Sequence, residues 1–268
     1  MPRMHRKQDA VPPETASKRP AEFLEILARG LKVLEAFRDR RQPMTLSDVA
    51  TQVDIPRATA RRALLTLVEL GFVENQGRLF TLTPRVLSLA SAYLTSADVP
   101  TIMRPVVERL SSRLGEACAA AVLDGDDVVF VARANPQRII SVGLEIGYRL
   151  PASGTAVGRV LLSGLPDDEL DRHLDRAHPQ KLTERSITSR KKLRAAVIAV
   201  RRDGYHVADQ EVEPGFRSIA VPVFGADGRV RCALHVGTHI VSMPVEQAVK
   251  QFLPLLKEAA GQASPLLI

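Results

Sequence analysis

The stretch from Thr45 to Thr83 constrains the fold of this chain most. Thr45-Leu-Ser-Asp48 has the form of a capping box, in which a hydroxyl and a carboxylate satisfy free amide donors at a helix start. The next apolar residues recur at helical spacing: Leu46, Val49, Ala50 and Val53. Asp54-Ile-Pro56 ends this short helix, and Pro56 suits the first turn of another, where its missing N–H is not needed. The pattern predicts two helices joined by a tight turn.

The second predicted helix runs from Arg57 to Leu70 and has basic first turns. Its inner side carries Leu64, Leu67, Val68 and Leu70. Arg57, Arg61 and Arg62 crowd the start, where a recognition helix presents side chains to base edges and phosphates. The same cluster is also compatible with an ordinary amphipathic helix whose arginines form a solvated face.

A predicted hairpin follows and favours DNA binding. Gly71 ends the helix, Phe72 and Val73 begin a strand, and Gln76-Gly77 turns the chain. Arg78 to Leu82 then alternates polar and apolar residues, as a half-buried strand requires. Helix, helix and hairpin in this order predict a winged helix-turn-helix. The candidate DNA-contacting residues are Thr45, Arg57, Ala58, Thr59, Arg61, Arg62 and Arg78.

These candidates divide into residues that specify a sequence and residues that position the protein. Arg57 and Thr59 are the candidates for base edges, and Arg61 suits either role. Arg62 suits a phosphate or an internal ion pair. Arg78 is expected in or over the minor groove beside the wing.

Composition is compatible with a polyanionic partner. The 268 residues carry a formal net charge of +7, spread along the chain, so the Arg57–Arg62 cluster is stronger evidence than the total. The first twenty residues lack the apolar segment of a signal peptide, and no apolar run is long enough for a bilayer. We therefore expect a cytoplasmic protein without membrane contact. Cys118 and Cys232 are expected to be reduced, packed thiols, although a disulfide between them stays open.

The chain divides into four predicted parts. Residues 1–20 form a disordered basic arm, 21–84 the winged helix-turn-helix domain, 85–98 a linker helix and 99–268 a second domain. A helix from Glu22 to Arg40 has more apolar positions than a small helix pair can bury, which suggests core plus dimer contact. The linker helix is expected from Pro84 to about Ala97.

The second domain is predicted as α+β with a mostly antiparallel sheet, because hairpins and helices occur there without regular βαβ alternation. The predicted strands are Ala117–Leu123, Val128–Arg133, Arg138–Ile146, Tyr205–Asp209, Ser218–Phe224 and Val230–Val236. The predicted helices are Pro100–Leu114, Thr155–Leu162, Asp167–Leu174, Leu193–Arg202 and Val245–Ala260.

These segments resemble the IclR family of bacterial transcription regulators over nearly the whole chain after the arm. Ala28–Leu34 is similar to the family's first helix, and Pro56–Leu67 with Glu69–Val73 to its recognition helix and wing entry. Leu150–Leu162 resembles one wall of its effector pocket, and Asp209–Pro222 its signature strand. The resemblance implies a GAF-like effector-binding domain and dimers that pair into tetramers.

Shorter segments resemble one branch, the regulators of protocatechuate and 4-hydroxybenzoate breakdown: Leu123–Arg133, Gly158–Pro166 and Val236–His239. One departure concerns the strand position where some members have a small hydroxyl residue, which is His235 here, followed inward by Gly237. A ligand larger than, or shaped differently from, a two- or three-carbon keto acid fits this change.

Residue chemistry and resemblance agree on a carboxylate effector. Ser153 to Ala156 opens a helix, so free N–H groups and the positive helix end point at one spot, and Gly154 allows close approach. Arg149, and also Arg138, is a candidate for a charge-assisted hydrogen bond. The candidate ligand-binding residues are Arg149, Ser153, Gly154, Thr155, Ala156, Asp209, Glu211, Ser218 and His235. The hypothesis is an aromatic hydroxy-acid or related catabolic intermediate, with its carboxylate at the helix end and its phenol toward the strands.

Simpler interpretations stay open for each residue. Ser153 and Thr155 are also suitable helix caps, and Asp209 is a candidate structural partner of Arg217. Glu211 and Glu213 suit a surface better than a pocket. The position of His235 in an apolar strand is also typical of a core histidine. Arg133 and Arg138 are also suitable as surface cations.

Other classes of function were weighed. Ser153, His235 and Asp209 are the residue types of a hydrolytic triad, but a Gly-x-Ser-x-Gly elbow is missing. The six histidines are scattered without metal-ligand spacing, so neither a metal nor a cofactor is expected. An IclR-type regulator responding to a small keto acid and an architectural DNA binder without a ligand are further alternatives. The expectation is a non-enzymatic regulator that binds a pseudo-palindromic operator in double-stranded DNA as a dimer and controls an aromatic-degradation operon, as activator or repressor.

Overall fold

A computed structural model describes residue 20 and residues 22–38, 42–135 and 145–267. The chain separates into two compact units, residues 1–90 and 91–268. Within the described ranges, no helix is long and apolar enough to cross a membrane.

The first unit contains a three-stranded antiparallel sheet and three packed helices. Its sheet has the order β1-β3-β2. The elements are α1 (Glu25–Glu35), β1 (Met44–Thr45), α2 (Leu46–Val53), α3 (Arg57–Glu69), β2 (Val73–Gln76) and β3 (Leu79–Leu82), and α4 (Val86–Ser96) crosses the boundary between the units. The core includes Val33, Val49, Leu64, Val73 and Phe80.

The local signals act as the sequence predicts. Thr45 and Asp48 form the complete capping box of α2. Asp54 takes the left-handed conformation at the end of α2, and Gly71 has φ +75° after α3. Pro56 is the N-cap of α3 rather than its first helical residue, and its carbonyl accepts from the N–H groups of Thr59 and Ala60.

The second unit contains a six-stranded, fully antiparallel sheet with the order β6-β5-β4-β9-β8-β7. Its strands are β4 (Ala117–Asp124), β5 (Asp127–Ala134), β6 (Arg149–Pro151), β7 (His206–Asp209), β8 (Phe216–Phe224) and β9 (Val230–His239). Its helices after α4 are α5 (Asp98–Leu114), α6 (Ala156–Ser163), α7 (Asp167–Arg176), α8 (Arg190–Asp203) and α9 (Val245–Ala263).

Helices cover both faces of this sheet. On one face α5 and α9 bury a core with Met103, Val107, Phe252 and Leu256 at its centre. On the other face α6, α7 and α8 pack over small sheet residues; the buried set includes Ala119, Ala121, Ala208, Ala220 and Ala233. Alternate residues of each strand therefore serve different layers, as the pleat requires.

The third strand predicted over Arg138–Ile146 lies almost entirely outside the described residues, which exclude 136–144. Its last two residues, Glu145 and Ile146, are described as part of a turn that ends at Tyr148. Strand β6, which begins at Arg149, pairs with β5 on the side opposite β4. The helix predicted over Glu22–Arg40 is shorter in the structure, where α1 covers Glu25–Glu35.

Both cysteines are free and buried. Burial raises the pKa of the Cys118 and Cys232 thiols to about 12 each. They are therefore packed as neutral thiols, and the disulfide left open by the sequence does not form.

Candidate functional sites

The start of α3 presents a cluster of arginines that no carboxylate of the described residues neutralises. Arg57, Arg61 and Arg62 are exposed, and among the described residues they form no salt bridge. Elsewhere most arginines pair with acidic side chains, for example Arg29 with Glu25 at 3.2 Å. The cluster is thus a cationic surface of the kind that binds phosphates.

The other candidate DNA-contacting residues differ in their exposure and in their hydrogen bonds. Ala58 is exposed and Thr59 is half-buried at the same helix start. Arg78 is exposed at the tip of the β2–β3 hairpin, next to Gly77 with φ +68°. The Thr45 hydroxyl is already engaged, because it accepts from the Asp48 N–H at 3.2 Å and donates to the Asp48 carboxylate at 2.8 Å. The structure therefore gives Thr45 a capping role at α2.

In the second unit, the predicted carboxylate turn lies directly before α6. Ala152–Gly154 forms a single 3-10 turn, and Thr155 caps α6 by accepting from the Gly158 N–H at 3.0 Å. The remaining N–H groups of the first helical turn have no acceptor inside the helix. Thr155 is thus a cap, as the simpler interpretation allowed.

Two glycines give this turn its shape. A Cβ on Gly158 would lie 1.9 Å from the Ala152 carbonyl oxygen, so the turn can rest on α6 only because residue 158 is glycine. A Cβ on Gly154 would meet no heavy atom within 4 Å. The Gly154 backbone therefore faces open space, as a ligand-binding turn requires, whereas Ala156 is buried in the core.

His235 is buried on the sheet face that α6 covers. It pairs with Ala119 on one side and Ala220 on the other, and its ring lies 5.6 Å from that of Phe130 at 64°. It is 5 % exposed, and neither ring nitrogen has a hydrogen-bond partner of normal geometry within the described ranges. Burial lowers its pKa to about 4, so the ring is neutral at pH 7.

An imidazole buried without partners is energetically unfavourable unless something else satisfies it. The ring nitrogens of His235 are therefore available to accept or donate a further hydrogen bond. Ser218, half-buried, pairs with Gly237, which follows His235 by two residues on β9. Both residues belong to the predicted ligand set.

Arg133, which the sequence suggested as a surface cation, lies close to His235 in the sheet. It pairs with Ala119, which also pairs with His235, so the three lie in a row across β5, β4 and β9. Burial lowers the Arg133 pKa, and its charge, after burial, also lowers the pKa of His235. A cation within an otherwise apolar strand was the available signal, but it was interpreted as a surface residue.

Two predicted ligand residues form ion pairs. Arg149 pairs with Asp124 at 2.5 Å and with Asp127 at 3.3 Å, at the end of the β4–β5 hairpin, so these acids already neutralise it. Asp209 pairs with Arg217 at 2.8 Å, as the simpler interpretation allowed, and also with Arg185. The ligand roles of Arg149 and Asp209 stay predictions.

Glu211 was expected either in the ligand set or on the surface, and it is in neither position. It is buried, and its carboxylate is bound bidentately by Arg159 at 2.8 and 2.6 Å. Glu213 is exposed, as expected.

Gly237 is required by the packing of Phe216. A Cβ at this position would lie 2.7 Å from the Phe216 ring. The space that the glycine leaves is therefore filled by Phe216 and does not enlarge a ligand site.

The hydrolytic triad lacks its geometry. Asp209 is held by two arginines, and His235 has no carboxylate partner among the described residues. No group of three or more His, Cys, Asp or Glu side chains in the described ranges is arranged to hold a metal ion.

Comparison with known families assigns both units. Residues 26–77 match the IclR helix-turn-helix domain. Residues 91–265 match the C-terminal domain of bacterial transcriptional regulators of the IclR type. The chain belongs to the IclR family. The predicted winged helix-turn-helix and α+β effector-binding domain are confirmed as this family's fold.

Relatives within the IclR family agree with the branch that the sequence resembles. The Pca regulon regulatory protein of Pseudomonas putida is 41% identical over 240 residues, covering 89% of this chain and 82% of that protein. The p-hydroxybenzoate hydroxylase transcriptional activator of Acinetobacter baylyi is 34% identical, covering 98% and 99%. The crystal structure of an IclR homologue complexed with 4-hydroxybenzoate from Microbacterium hydrocarbonoxydans is 28% identical with a TM-score of 0.75, covering 90% of this chain and 98% of that one.

Proposed function

We propose that this IclR-family regulator binds an aromatic hydroxy-acid in its second unit and thereby controls transcription of an aromatic-degradation operon. The observation that carries the proposal is His235, a neutral, buried imidazole on the sheet face beneath α6, whose ring nitrogens have no hydrogen-bond partner of normal geometry among the described residues. The relatives named above, one of them bound to 4-hydroxybenzoate, support the same chemical class.

The effector's carboxylate is proposed to accept hydrogen bonds from the first turn of α6 and from Ser153, beside the open space at Gly154. The ring hydroxyl faces the strands, where His235 and Ser218 lie. Arg133 is proposed as the cation of the site, because it lies in one row of the sheet with Ala119 and His235.

The DNA-binding role is assigned to α3 and the β2–β3 hairpin. Arg57, Ala58, Thr59 and Arg61 are proposed to face base edges and phosphates, while Arg62 and Arg78 serve the backbone. Their exposure and lack of ion pairs within the described ranges support this assignment.

We propose a homodimer that pairs into tetramers and binds a pseudo-palindromic operator, because paired half-sites require paired recognition helices. The support within the first unit is the apolar surface at and before α1, where Leu24, Ile26, Leu27 and Leu31 are more than half exposed. The domain limits are proposed as 21–84, 85–98 and 99–268, and the protein as a cytoplasmic regulator without enzymatic activity.

Isothermal titration tests the effector class. We expect 4-hydroxybenzoate and protocatechuate to bind, and benzoate, which lacks the ring hydroxyl, to bind about tenfold more weakly, since a lost hydrogen bond leaves His235 unsatisfied. The His235→Leu variant should bind benzoate and 4-hydroxybenzoate equally. His178, which is exposed, gives the control His178→Leu, in which the preference for 4-hydroxybenzoate should persist.

Absence of heat with 4-hydroxybenzoate, protocatechuate and β-ketoadipate contradicts the proposal. Heat with pyruvate in their place would favour the alternative, a regulator responding to a small keto acid. Hydrolysis of an activated ester that is lost in Ser153→Ala would favour an enzyme.

A further inference from the structure

A buried polar network lies behind the turn that the proposed function assigns to the effector. Arg159, on α6, is 0 % exposed and is the largest fully buried side chain in the described part of the molecule. An arginine cannot lose its charge in a protein, so it is buried only where other groups satisfy it.

All three side-chain nitrogens of Arg159 form hydrogen bonds, and together they reach three different segments of the second unit. Nη1 and Nη2 donate to the Glu211 carboxylate in the loop after β7. Nη1 also contacts His206 Nε2 on β7 at 2.8 Å. Nε donates to the backbone carbonyl of Ser153 at 3.2 Å.

The far end of the network is itself anchored. Glu211 follows Gln210, a non-glycine residue with φ +62°, whose N–H donates to the Phe216 carbonyl at 2.8 Å. The carbonyl oxygens of Gln210 and Glu211 accept from the hydroxyls of Thr183 and Ser186, each at 2.7 Å. The Glu211 carboxylate is therefore held at a fixed place relative to the sheet.

The imidazole of His206 completes the network as an acceptor. Because a guanidinium donates only, Nε2 must be unprotonated and the proton must lie on Nδ1. Burial first, and the charge of Arg159 second, lower the His206 pKa to about 3, so the ring is neutral at pH 7. The network thus contains one cation, one anion and one neutral ring.

We propose that Arg159, fixed by Glu211 and His206, is a positioning residue of the effector site: through the Ser153 carbonyl it holds the Ser153–Gly154 turn so that its free N–H groups point at the ligand. The proposal rests on the proposed function. It gives Glu211 an indirect role in effector binding in place of the direct contact predicted from the sequence.

Two variants separate positioning from mere stability. Arg159→Lys keeps a cation opposite Glu211 but has no second nitrogen for the Ser153 carbonyl. The double variant Arg159→Met with Glu211→Leu removes both charges together, which avoids a lone buried charge. The control Arg113→Met with Glu258→Leu removes an exposed ion pair of 3.2 Å between α5 and α9.

Hydrogen exchange of the ligand-free protein directly measures how well the backbone amides of the turn are protected. We expect the backbone amides of residues 152–157 to exchange about tenfold faster in both variants, while β8 and β9 keep parental protection. The control should exchange like the parent. Unchanged exchange over 152–157 in Arg159→Lys and in the double variant overturns the proposal.

Titration with 4-hydroxybenzoate gives the second measurement. The variants should bind it at least about tenfold more weakly even where their melting temperature is parental. Parental affinity in both variants also overturns the proposal. If the parent protein itself binds no hydroxybenzoate, the proposed function fails, and the exchange result alone decides the positioning role.

Discussion

At the scale of single residues, Gly154 and Gly158 lie four positions apart but differ in the space around them, which is open at Gly154 and filled at Gly158. We expect Gly158→Ala to destabilise the second unit by about 3 kcal/mol or more, because its Cβ overlaps the Ala152 carbonyl and overpacking of this degree displaces backbone. Gly154→Ala should leave stability nearly unchanged, since nothing lies within 4 Å of its Cβ. Urea unfolding measures both.

The same pair tests where the ligand lies. Gly154→Val should weaken binding of 4-hydroxybenzoate in calorimetry, because its side chain would enter the open space at the turn. Parental affinity in this variant, or equal loss of stability in the Gly154→Ala and Gly158→Ala variants, would place the effector elsewhere.

Two histidines with strongly lowered pKa values, the buried His235 and the half-buried His206, predict acid sensitivity. The pKa values of His235 and His206 are lowered to about 4 and about 3, mainly by burial, from an unfolded value near 6.5. Below pH 6.5 the unfolded chain therefore binds more protons than the folded one, so the free energy of unfolding falls as the pH falls through this range. Between pH 6.5 and 5.5 each histidine should contribute a loss of about 1 kcal/mol.

Urea unfolding of the parent and of His235→Leu between pH 7 and 5.5 measures this dependence. The variant should show a smaller decrease with acid, whereas His178→Leu should follow the parent. Parallel curves for the parent and His235→Leu would mean that His235 titrates normally and is not buried without partners.

Part of the candidate ligand site could be predicted from residue types alone. Ser153, Gly154 and His235 were predicted because a helix start and a polar residue in an apolar strand are local signals. Sequence reasoning did not predict that Arg149 pairs with Asp124 and Asp127, because the partner of a charged side chain is set by strands and loops distant in the sequence. The same reason concealed the link between Arg159 and Glu211, which are 52 positions apart.

At the scale of secondary structure, the wing carries a prediction of its own. Arg78→Ala should weaken DNA binding by a similar factor for all sequences and reduce the salt dependence by roughly one ion, because one phosphate contact is lost. Arg109→Ala, an exposed arginine on α5, is the control. Fluorescence anisotropy over a series of salt concentrations measures the slope, and an unchanged slope for Arg78→Ala would remove this residue from the phosphate contacts.

Elements with strong local signals were predicted within a few residues of their bounds. The capping box at Thr45 and the glycine at 71 fix the ends of α2 and α3, which is why these helices agree with the sequence. The short strands β1 and β6 were missed, since two or three residues carry no measurable alternation. Their existence depends on pairing with β3 and β5.

At the scale of the whole molecule, regulation requires coupling between the two units. Effector binding can change the DNA affinity by no more than the ratio of the effector's affinities for two arrangements of the protein. Such coupling typically amounts to a factor of about 5 to 150. Nothing in the local sequence fixes its sign, because the sign depends on which arrangement fits both ligand and operator.

The central claim is that one chain recognises duplex DNA through α3 and senses a hydroxybenzoate beneath α6. The most direct measurement is fluorescence anisotropy with a duplex selected by the parent protein from a random pool, with and without saturating 4-hydroxybenzoate or protocatechuate. The account predicts that one of these acids changes the Kd for DNA at least about fivefold. It also predicts that Arg57→Ala with Thr59→Ala and Arg61→Ala abolishes specific binding. Parental DNA affinity in that triple variant, or a Kd that neither acid alters, contradicts it.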